Sequence, residues 1–325
     1  MQNDFEYKKI FELKKMSLEQ LMFYYRSLRS FEYDNDKPME SSKIKKKIFF
    51  LTKIILKADA IISQRKLIIF NDKRSSGSDK GKVYAASHVG RYDIESSMEA
   101  INEPAFFVMG DPEETYRNFE GFFLDKIYGR ICFDTGYCIS EIFRKHQNGI
   151  ELSELEREVF DAYKKDRHIC EEVCTKRVAD GDNILLYPEG AWNVTARITQ
   201  TLYPGAARIA VKGNGLLVPI GVLRDGKKYS VNIGEEIDVS GATVSDVKDI
   251  TAELKERMNS LVGEMIFAGD RIFQRSEMGT SRENEEKFIN DMMAETSNGY
   301  TLDVIEKTRY YNPNDPENVI GIIGI

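Results

Sequence analysis

A histidine and an aspartate lie five residues apart in the stretch "AASHVGRYDIES", residues 85–96, of a chain that contains three histidines. If a loop histidine meets an aspartate in the first turn of the next helix, the carboxylate accepts a hydrogen bond from one ring nitrogen and fixes the tautomer. The second ring nitrogen is then available as a general base. The spacing therefore predicts a catalytic pair of His88 as base and Asp93 as its orienting partner.

A second group of candidate residues follows an apolar run in "NILLYPEGAWN", residues 183–193. The run stops at Pro188, so we expect Glu189 to be held at the end of a strand, facing a cleft. Gly190 would let a ligand or a neighbouring backbone approach closely. Further along, "LLVPIGV" places Pro219 inside another strand-like run, where proline is tolerated at a sheet edge or a bulge.

The segments that would position these residues alternate between strand and helix patterns from residue 83 onward. The strand-like runs are "VYAAS", "AFFVMG", "RICFD", "NILLYP", "LLVPIGVL" and "YSVNIG". Helix-type spacing covers 92–101, 114–128, 151–179, 204–213 and 246–268, and Ser153 with Glu156 forms a capping box at the start of the third of these. This alternation predicts an α/β layer structure.

A strongly basic stretch precedes this region. Residues 41–82 contain twelve lysines and arginines against three aspartates, although the whole chain has a net charge of −7. Within the stretch, an amphipathic helix is predicted by apolar residues at Ile44, Ile48, Leu51, Ile55 and Ile62. Its flanking lysines are Lys45, Lys46, Lys47, Lys53 and Lys57. Such a helix suits an anionic membrane surface, or packs on its own domain with a solvated basic rim. Nucleic acid is not predicted as a partner, because the rest of the chain is acidic and carries no recognised binding motif.

The composition indicates a folded, cytoplasmic protein. The chain has 325 residues, of which 42% are hydrophobic, enough for a sizeable core. Its four cysteines form no recognisable disulfide framework, so we expect reduced thiols. Cys170 and Cys174 lie near His168, but their spacing is typical of one helix face, so no metal site is predicted. Neither a signal peptide nor a long apolar stretch is visible.

Five segments, in this order, resemble the sequence blocks of the glycerophospholipid acyltransferase family, the group that includes bacterial 1-acylglycerol-3-phosphate acyltransferases. The segments are H-x4-D at 88–93, "GRICFD" at 129–134, "YPEG" at 187–190 followed by "GAARIA" at 205–210, "VPIGV" at 218–222, and "NIGEEIDV" at 232–239. The resemblance spans roughly residues 83–240. It implies an α/β fold with a mixed sheet flanked by helices.

The resemblance also implies a reaction and a site. In this family the histidine deprotonates an acceptor hydroxyl, which attacks the thioester of acyl-CoA or acyl-carrier protein without an acyl-enzyme. The catalytic residues would be His88 and Asp93. The implied substrate-binding residues are Arg91, Glu189, Gly190, Trp192 and Arg208. No metal or resident cofactor is implied, because the thioester co-substrate is already activated. The expected partners are a lipid acceptor and the inner face of a membrane, contacted peripherally.

Three positions depart from the family pattern. Thr135, Trp192 and Tyr203 stand where relatives commonly carry the cations that hold an acceptor phosphate. We therefore expect a weaker dependence on that phosphate, with Trp192 suited to stacking on a sugar ring or covering an acyl chain. The alternative is that another cation replaces them. The candidates are Arg91, Arg197, Arg208 and Lys212.

Several functions stay open at this point. The acceptor is either a lysophospholipid such as lysophosphatidic acid, or a glycolipid, an aminolipid or another neutral alcohol. A non-catalytic lipid-binding relative is a further alternative, as is a metal hydrolase, which the absence of a histidine cluster in the sequence disfavours. The expected organisation is a helical membrane-contacting region at 1–70, an acyltransferase domain at 71–268, and an extension of unknown role at 269–325.

Overall fold

The computed structural model describes residues 17–20, 22, 42–75, 78–90, 92–110, 129–133, 139–190, 202–225 and 227–268. Within them the strands are β1 (Lys66–Asp72), β2 (Lys82–Ala86), β3 (Phe106–Gly110), β4 (Arg130–Phe133), β5 (Ile184–Leu186), β6 (Leu216–Asp225), β7 (Lys228–Ile233) and β8 (Ile237–Asp238). The helices are α1 (Ser42–Ser63), α2 (Asp93–Ile101), α3 (Ser140–Gln147), α4 (Glu154–Ala179), α5 (Gly205–Lys212) and α6 (Val247–Ala268).

The eight described strands form one mixed sheet. Seven of them follow the order β1-β7-β6-β2-β5-β3-β4, and β8 pairs with β6. The pairs β1–β7, β2–β6, β2–β5, β5–β3 and β3–β4 are parallel, whereas β6 runs antiparallel to β7 and β8. Because β2 and β5 are parallel neighbours, the residues that follow them leave the sheet at the same edge.

Helices cover both faces of the sheet, which confirms the predicted α/β fold. On one face α4, α5 and α6 pack on the strands, through Cys174, Ala207 and Leu254 among others. On the other face α1 and α2 pack through Leu56, Met98 and Ile101. Residues 83–86 of β2 are fully buried, as a central strand between two helical layers requires.

The predicted elements in the described residues match the observed ones to within a few positions, and the capping box of Ser153 and Glu156 opens α4. Helix α3 was not predicted, and the expected helix at 114–128 lies outside the described residues, as does 269–325. Strand β1 crosses the expected boundary between residues 70 and 71 and pairs with β7. The sheet therefore includes residues that the sequence analysis gave to the N-terminal region.

Pro219 lies in interior strand β6, at a gap in the pairing on one side of the strand and not at an edge of the sheet. Strand β6 changes partner at this point: Leu216 and Leu217 pair with β8, and pairing with β7 begins at Ile220. The Pro219 carbonyl accepts a hydrogen bond from the Gly234 N–H at 3.0 Å. In a strand, the N–H and the carbonyl of one residue point to the same side. The N–H that Pro219 lacks would therefore point to the place where β6 changes its partner from β8 to β7.

Helix α1 packs on the domain through only part of the predicted apolar face. Thr52 and Leu56 are buried and Ile55 packs against the same core, whereas Leu51 and Ile62 of the predicted face are exposed. The exposed apolar side chains of the helix are Phe50, Leu51, Ile54, Ile61 and Ile62. Apolar residues occur around most of this helix, so their spacing did not determine which side packs. None of the described helices has the length and apolar character needed to cross a bilayer.

Candidate active site

The structure brings His88 and Asp93 together at the carboxyl end of β2. Strand β2 ends at Ala86, and Asp93 is the first residue of α2. The His88 Nδ1 atom lies 2.8 Å from Asp93 Oδ2, and the exposed fractions of the two side chains are 19% and 1%. The loop between the strand and the helix therefore turns the aspartate back onto the histidine, as the spacing predicted.

Asp93 accepts several hydrogen bonds through one oxygen. Its Oδ2 atom accepts from the backbone N–H groups of Val89 at 2.7 Å and Gly90 at 3.0 Å, in addition to the contact with His88. Both amides and the His88 ring therefore meet the same Asp93 oxygen, at the N-terminus of α2. A carboxylate cannot donate, so the proton of neutral His88 belongs on Nδ1 and the lone pair on Nε2. This is the tautomer that a general base requires.

Glu189 holds the backbone of the histidine. The glutamate is fully buried, and its Oε1 atom accepts a hydrogen bond from the His88 N–H at 2.9 Å. Gly190 follows with a φ of +69°, in a turn closed by its N–H bonding to the Tyr187 carbonyl at 3.0 Å. Glu189 thus lies beside the His88–Asp93 pair, where it supports the loop and is itself fully buried rather than facing a cleft.

Tyr187 is a residue of the site that the sequence analysis did not select. Its ring stacks on the His88 ring, with centroids 4.5 Å apart and planes inclined by 28°. Its hydroxyl donates to Ser97 Oγ of α2 at 3.3 Å. Burial raises the pKa of the Tyr187 hydroxyl well above its usual value, and the Asp93 charge adds to this, so the group stays neutral. A tyrosine directly before Pro-Glu-Gly was the available signal.

Arg224 and Tyr229 lie beneath the turn that leads into α2, and neither was selected from the sequence. Gly90 has a φ of +148°, and a Cβ there would stand 2.4 Å from Arg224 Nη1. Arg224 also lies over the ring of Tyr229, whose hydroxyl is 3.4 Å from the Tyr92 N–H. A side chain at position 90 would be strained by the positive φ and would have to displace the end of the Arg224 side chain. The signal was a charged residue at the end of the apolar run of β6.

Of the other predicted substrate-binding residues, Arg208 is the one that lies within the described ranges. The side chain of Arg208 forms an ion pair with Glu171 of α4 at 3.1 Å, and Lys212 binds the same carboxylate at 2.7 Å. Arg91 and Trp192 lie outside the described residues, together with Thr135 and Arg197. Tyr203 packs its ring against Gly190, where a Cβ would approach the ring to 2.5 Å.

Cys170 and Cys174 lie on the buried side of α4, in the core of the sheet. His168 is on the exposed side of that helix and pairs with Glu172. This is the helix-face arrangement that the spacing predicted. Across the described ranges, no group of three or more histidine, cysteine, aspartate or glutamate side chains is arranged to hold a metal ion.

Glu95 adds an unusual acid to the first turn of α2. Burial raises its pKa to about 8, and the nearby charges of Asp59 and Asp93 add to this effect, while Arg65 opposes it. One of its carboxyl oxygens is buried without a hydrogen bond. The side chain is therefore mostly protonated at neutral pH, which limits the negative charge beside Asp93.

Glu95→Gln is expected to stabilise the fold at alkaline pH. Between about 4.5 and 8 the folded state holds a proton that the unfolded state releases, so the free energy of unfolding falls as pH rises through this window. The loss should amount to several kcal/mol, at most about 5, since each pKa unit of the shift is worth about 1.4 kcal/mol. Urea unfolding at about pH 5 and pH 9 should show the variant gaining stability over the wild type as pH rises.

The exposed Glu151→Gln variant is the matched control and should follow the wild-type curve. If Glu95→Gln also follows it at every pH, Glu95 is ionised in the folded protein and the raised pKa is refuted.

Comparison with known proteins supports the fold. The crystal structure of the 1-acyl-sn-glycerophosphate (LPA) acyltransferase PlsC from Thermotoga maritima is similar, with a TM-score of 0.50. The sequence identity is 12%, and the match covers 78% of this chain and 97% of that chain. No protein-family model and no curated protein matches the sequence. This chain therefore shares the α/β fold of an acyltransferase of known structure, as the five sequence segments implied.

Proposed function

We propose that the protein is an acyltransferase that moves a fatty acyl chain from a thioester to a hydroxyl of a lipid acceptor. The main support for this proposal is the 2.8 Å contact between His88 Nδ1 and Asp93 Oδ2, at the carboxyl end of strand β2. The order of the five sequence segments and the similarity of the fold to an acyltransferase support it.

The proposed reaction follows from the position of the histidine. Nε2 of His88 takes the proton of the acceptor hydroxyl while the oxygen attacks the thioester carbonyl carbon. Asp93 stabilises the resulting imidazolium. When the tetrahedral intermediate collapses, the carbon–sulfur bond breaks and the thiolate receives the proton from His88. One ester and one thiol are formed, and neither a metal nor an acyl-enzyme is needed. The donor is acyl-CoA or acyl-carrier protein.

We propose that turnover depends only weakly on whether the acceptor carries a phosphate group. Tyr203 occupies one position where relatives commonly carry a cation, and it packs on Gly190. Arg208 and Lys212, two of the candidate replacements, are both paired with Glu171. A neutral side chain cannot provide the charge-assisted hydrogen bonds that a phosphate receives from arginine. The proposed acceptor is a lysophospholipid such as lysophosphatidic acid. The alternative is a glycolipid, an aminolipid or another neutral alcohol.

A thioester turnover assay tests the function. An acyltransferase should release thiol when an acceptor is present, and mass spectrometry should show one ester for each thiol. Thiol release without acceptor would indicate a hydrolase, and no turnover with any acceptor would favour a lipid-binding protein. Comparing kcat/KM for lysophosphatidic acid, monoacylglycerol and a lyso-glycolipid then identifies the acceptor class.

Peripheral contact with an anionic membrane is proposed for the exposed side of α1. Ile61 and Ile62 are 78% and 83% exposed, and the adjoining edge strand β1 exposes Ile68 and Ile69. Basic residues surround this apolar surface in the sequence. Apolar side chains beside lysines are typical of surfaces that rest at the headgroup level of a bilayer. Such contact would bring the site to a lipid acceptor at the inner face of the membrane.

Ile61→Asn combined with Ile62→Asn is expected to weaken vesicle binding by at least about tenfold, because burying one isoleucine contributes roughly 1.5–3 kcal/mol. Replacing Lys45, Lys46, Lys47 and Lys53 by glutamine should also weaken it, since each lysine near an anionic surface contributes about 1 kcal/mol. Sedimentation with phosphatidylglycerol vesicles at low and high salt measures both effects.

The matched control is Ile150→Asn, since Ile150 is also exposed but precedes α4. This control should bind vesicles as the wild type does. Binding that none of the α1 changes alters, at either salt concentration, would show that this surface does not contact the membrane.

A further inference from the structure

Arg65 is a buried cation between the two helices that cover one face of the sheet. It directly follows the turn after α1, where Gln64 has a φ of +58° and the Arg65 N–H donates to the Ala60 carbonyl at 2.9 Å. Its side chain has no exposed surface. A guanidinium at such a position needs partners, because an unpaired buried charge is strongly destabilising. Nη1 and Nη2 of Arg65 have partners, whereas its Nε is buried without a hydrogen bond among the described residues.

The partners of Arg65 come from both helices. From α2, Nη1 donates to Ser96 Oγ at 3.2 Å and to Glu99 Oε2 at 3.0 Å. From α1, Nη2 donates to the Leu56 carbonyl at 3.3 Å and lies 3.7 Å from the Asp59 carboxylate. The side chain therefore joins α1 to α2 through four groups.

The contact on α2 begins within one turn of Asp93. Ser96 is three residues after Asp93, on a neighbouring position of the helix surface, and Glu99 is one turn further on. Tyr187 fixes the same helix at Ser97, while its ring stacks on His88. Arg65 and Tyr187 therefore contact α2 at the consecutive positions Ser96 and Ser97, within about one turn of Asp93.

The charges around Arg65 make this role specific to a cation. Asp59 of α1 and Glu99 of α2 both lie at the α1–α2 contact, and Arg65 pairs with both. Without it, carboxyl groups on two packed helices would face each other in a poorly solvated contact and repel. The helix that carries Asp93 would then shift away from α1.

We propose that Arg65 is a positioning residue of the reaction: it sets the helix that directs Asp93 onto His88. The proposal rests on the proposed acyl transfer for its consequence in rate, but the His88–Asp93 contact can be observed directly. It does not require Arg65 to touch a substrate.

The variants are Arg65→Met, Arg65→Lys and Glu99→Gln, with Arg177→Met as the matched control. Arg177 is also buried and forms an ion pair with Asp182. Asp182 precedes β5, so this ion pair lies at the opposite end of the sheet from His88 and Asp93. Arg65→Met should lower kcat by roughly 10- to 100-fold, because a small misplacement of a catalytic group has effects of that size. The KM for the thioester should hardly change. Arg65→Lys should recover part of the loss, and Glu99→Gln should cause a smaller one.

Nuclear magnetic resonance gives a readout that does not depend on activity. The chain has three histidines, so the signal of His88 is assigned with a His88→Asn variant. The Nδ1 proton that bonds to Asp93 should be sharp and protected from exchange in the wild type and in Arg177→Met, but weakened or lost in Arg65→Met.

The two kinds of failure are distinguishable. If folded Arg65→Met and Glu99→Gln both keep the protected Nδ1 proton, the positioning role is refuted, whatever the activity. If the wild type shows no acyl transfer but the proton is lost in Arg65→Met, the role of Arg65 holds and the proposed function fails. If Arg65→Met does not fold, Glu99→Gln and Arg65→Lys decide by the same signal.

Discussion

His88→Ala is expected to reduce acyl transfer by roughly 10²- to 10⁴-fold, the contribution of a positioned general base. The side chain supplies the proposed proton acceptor, whereas the contact of its backbone N–H with Glu189 is kept in alanine. The loop should therefore stay anchored while Nε2 is lost. Steady-state turnover of an acyl thioester with a lipid acceptor measures the effect, and circular dichroism confirms that the variant is folded.

The other two histidines provide matched controls. His168 is 66% exposed on α4, and His146 is exposed on α3. Alanine at either position should leave turnover close to that of the wild type. A folded His88→Ala protein that keeps more than about a tenth of wild-type activity would exclude His88 as the base, since even a weak general base contributes more than that.

Local sequence signals predicted the parts of the fold that depend on neighbouring residues. The capping box at Ser153 forms both of its hydrogen bonds, at 3.3 Å and 2.9 Å. The pairing of His88 with Asp93 is local in the same sense, because the short loop between β2 and α2 brings together two residues five positions apart. Central strand β2 was recognisable because an apolar run buried on both faces needs no alternating pattern.

Contacts between distant elements were not predictable in the same way. Arg65 lies in a basic stretch and resembles a solvated rim residue, yet it is buried against residues more than thirty positions away. Arg208 lies in a segment that resembles a substrate-binding block, yet its partner is Glu171 on another helix. The sequence indicates where a charge is placed along the chain, but the packing of helices decides which charge it meets.

The buried side of α1 shows the same limit for apolar residues. The periodic pattern of the helix is compatible with more than one face, and contact with α2 selected the side that carries Leu56. The exposed side then became the proposed membrane surface. Periodicity alone predicted the helix, and tertiary packing decided its orientation.

Asp93→Asn is expected to lower turnover about a thousandfold or more, close to the effect of losing the base, because the carboxylate both fixes the tautomer and stabilises the imidazolium. In the wild type, one oxygen accepts from His88 Nδ1, from Val89 N–H and from Gly90 N–H. An asparagine that keeps its oxygen there satisfies the backbone donors but has no charge to stabilise the imidazolium. An asparagine that turns its amide toward His88 forces the proton onto Nε2, which can no longer accept one. Both orientations therefore impair catalysis without leaving a cavity.

The matched control is Glu95→Gln, which removes an acid from the same turn of α2 and should keep the geometry of the pair. Turnover should be measured as kcat and KM for both substrates, with the loss confined mainly to kcat. Near-normal kcat in a folded Asp93→Asn variant would remove Asp93 from the mechanism and leave its bonds to the loop as a purely structural feature.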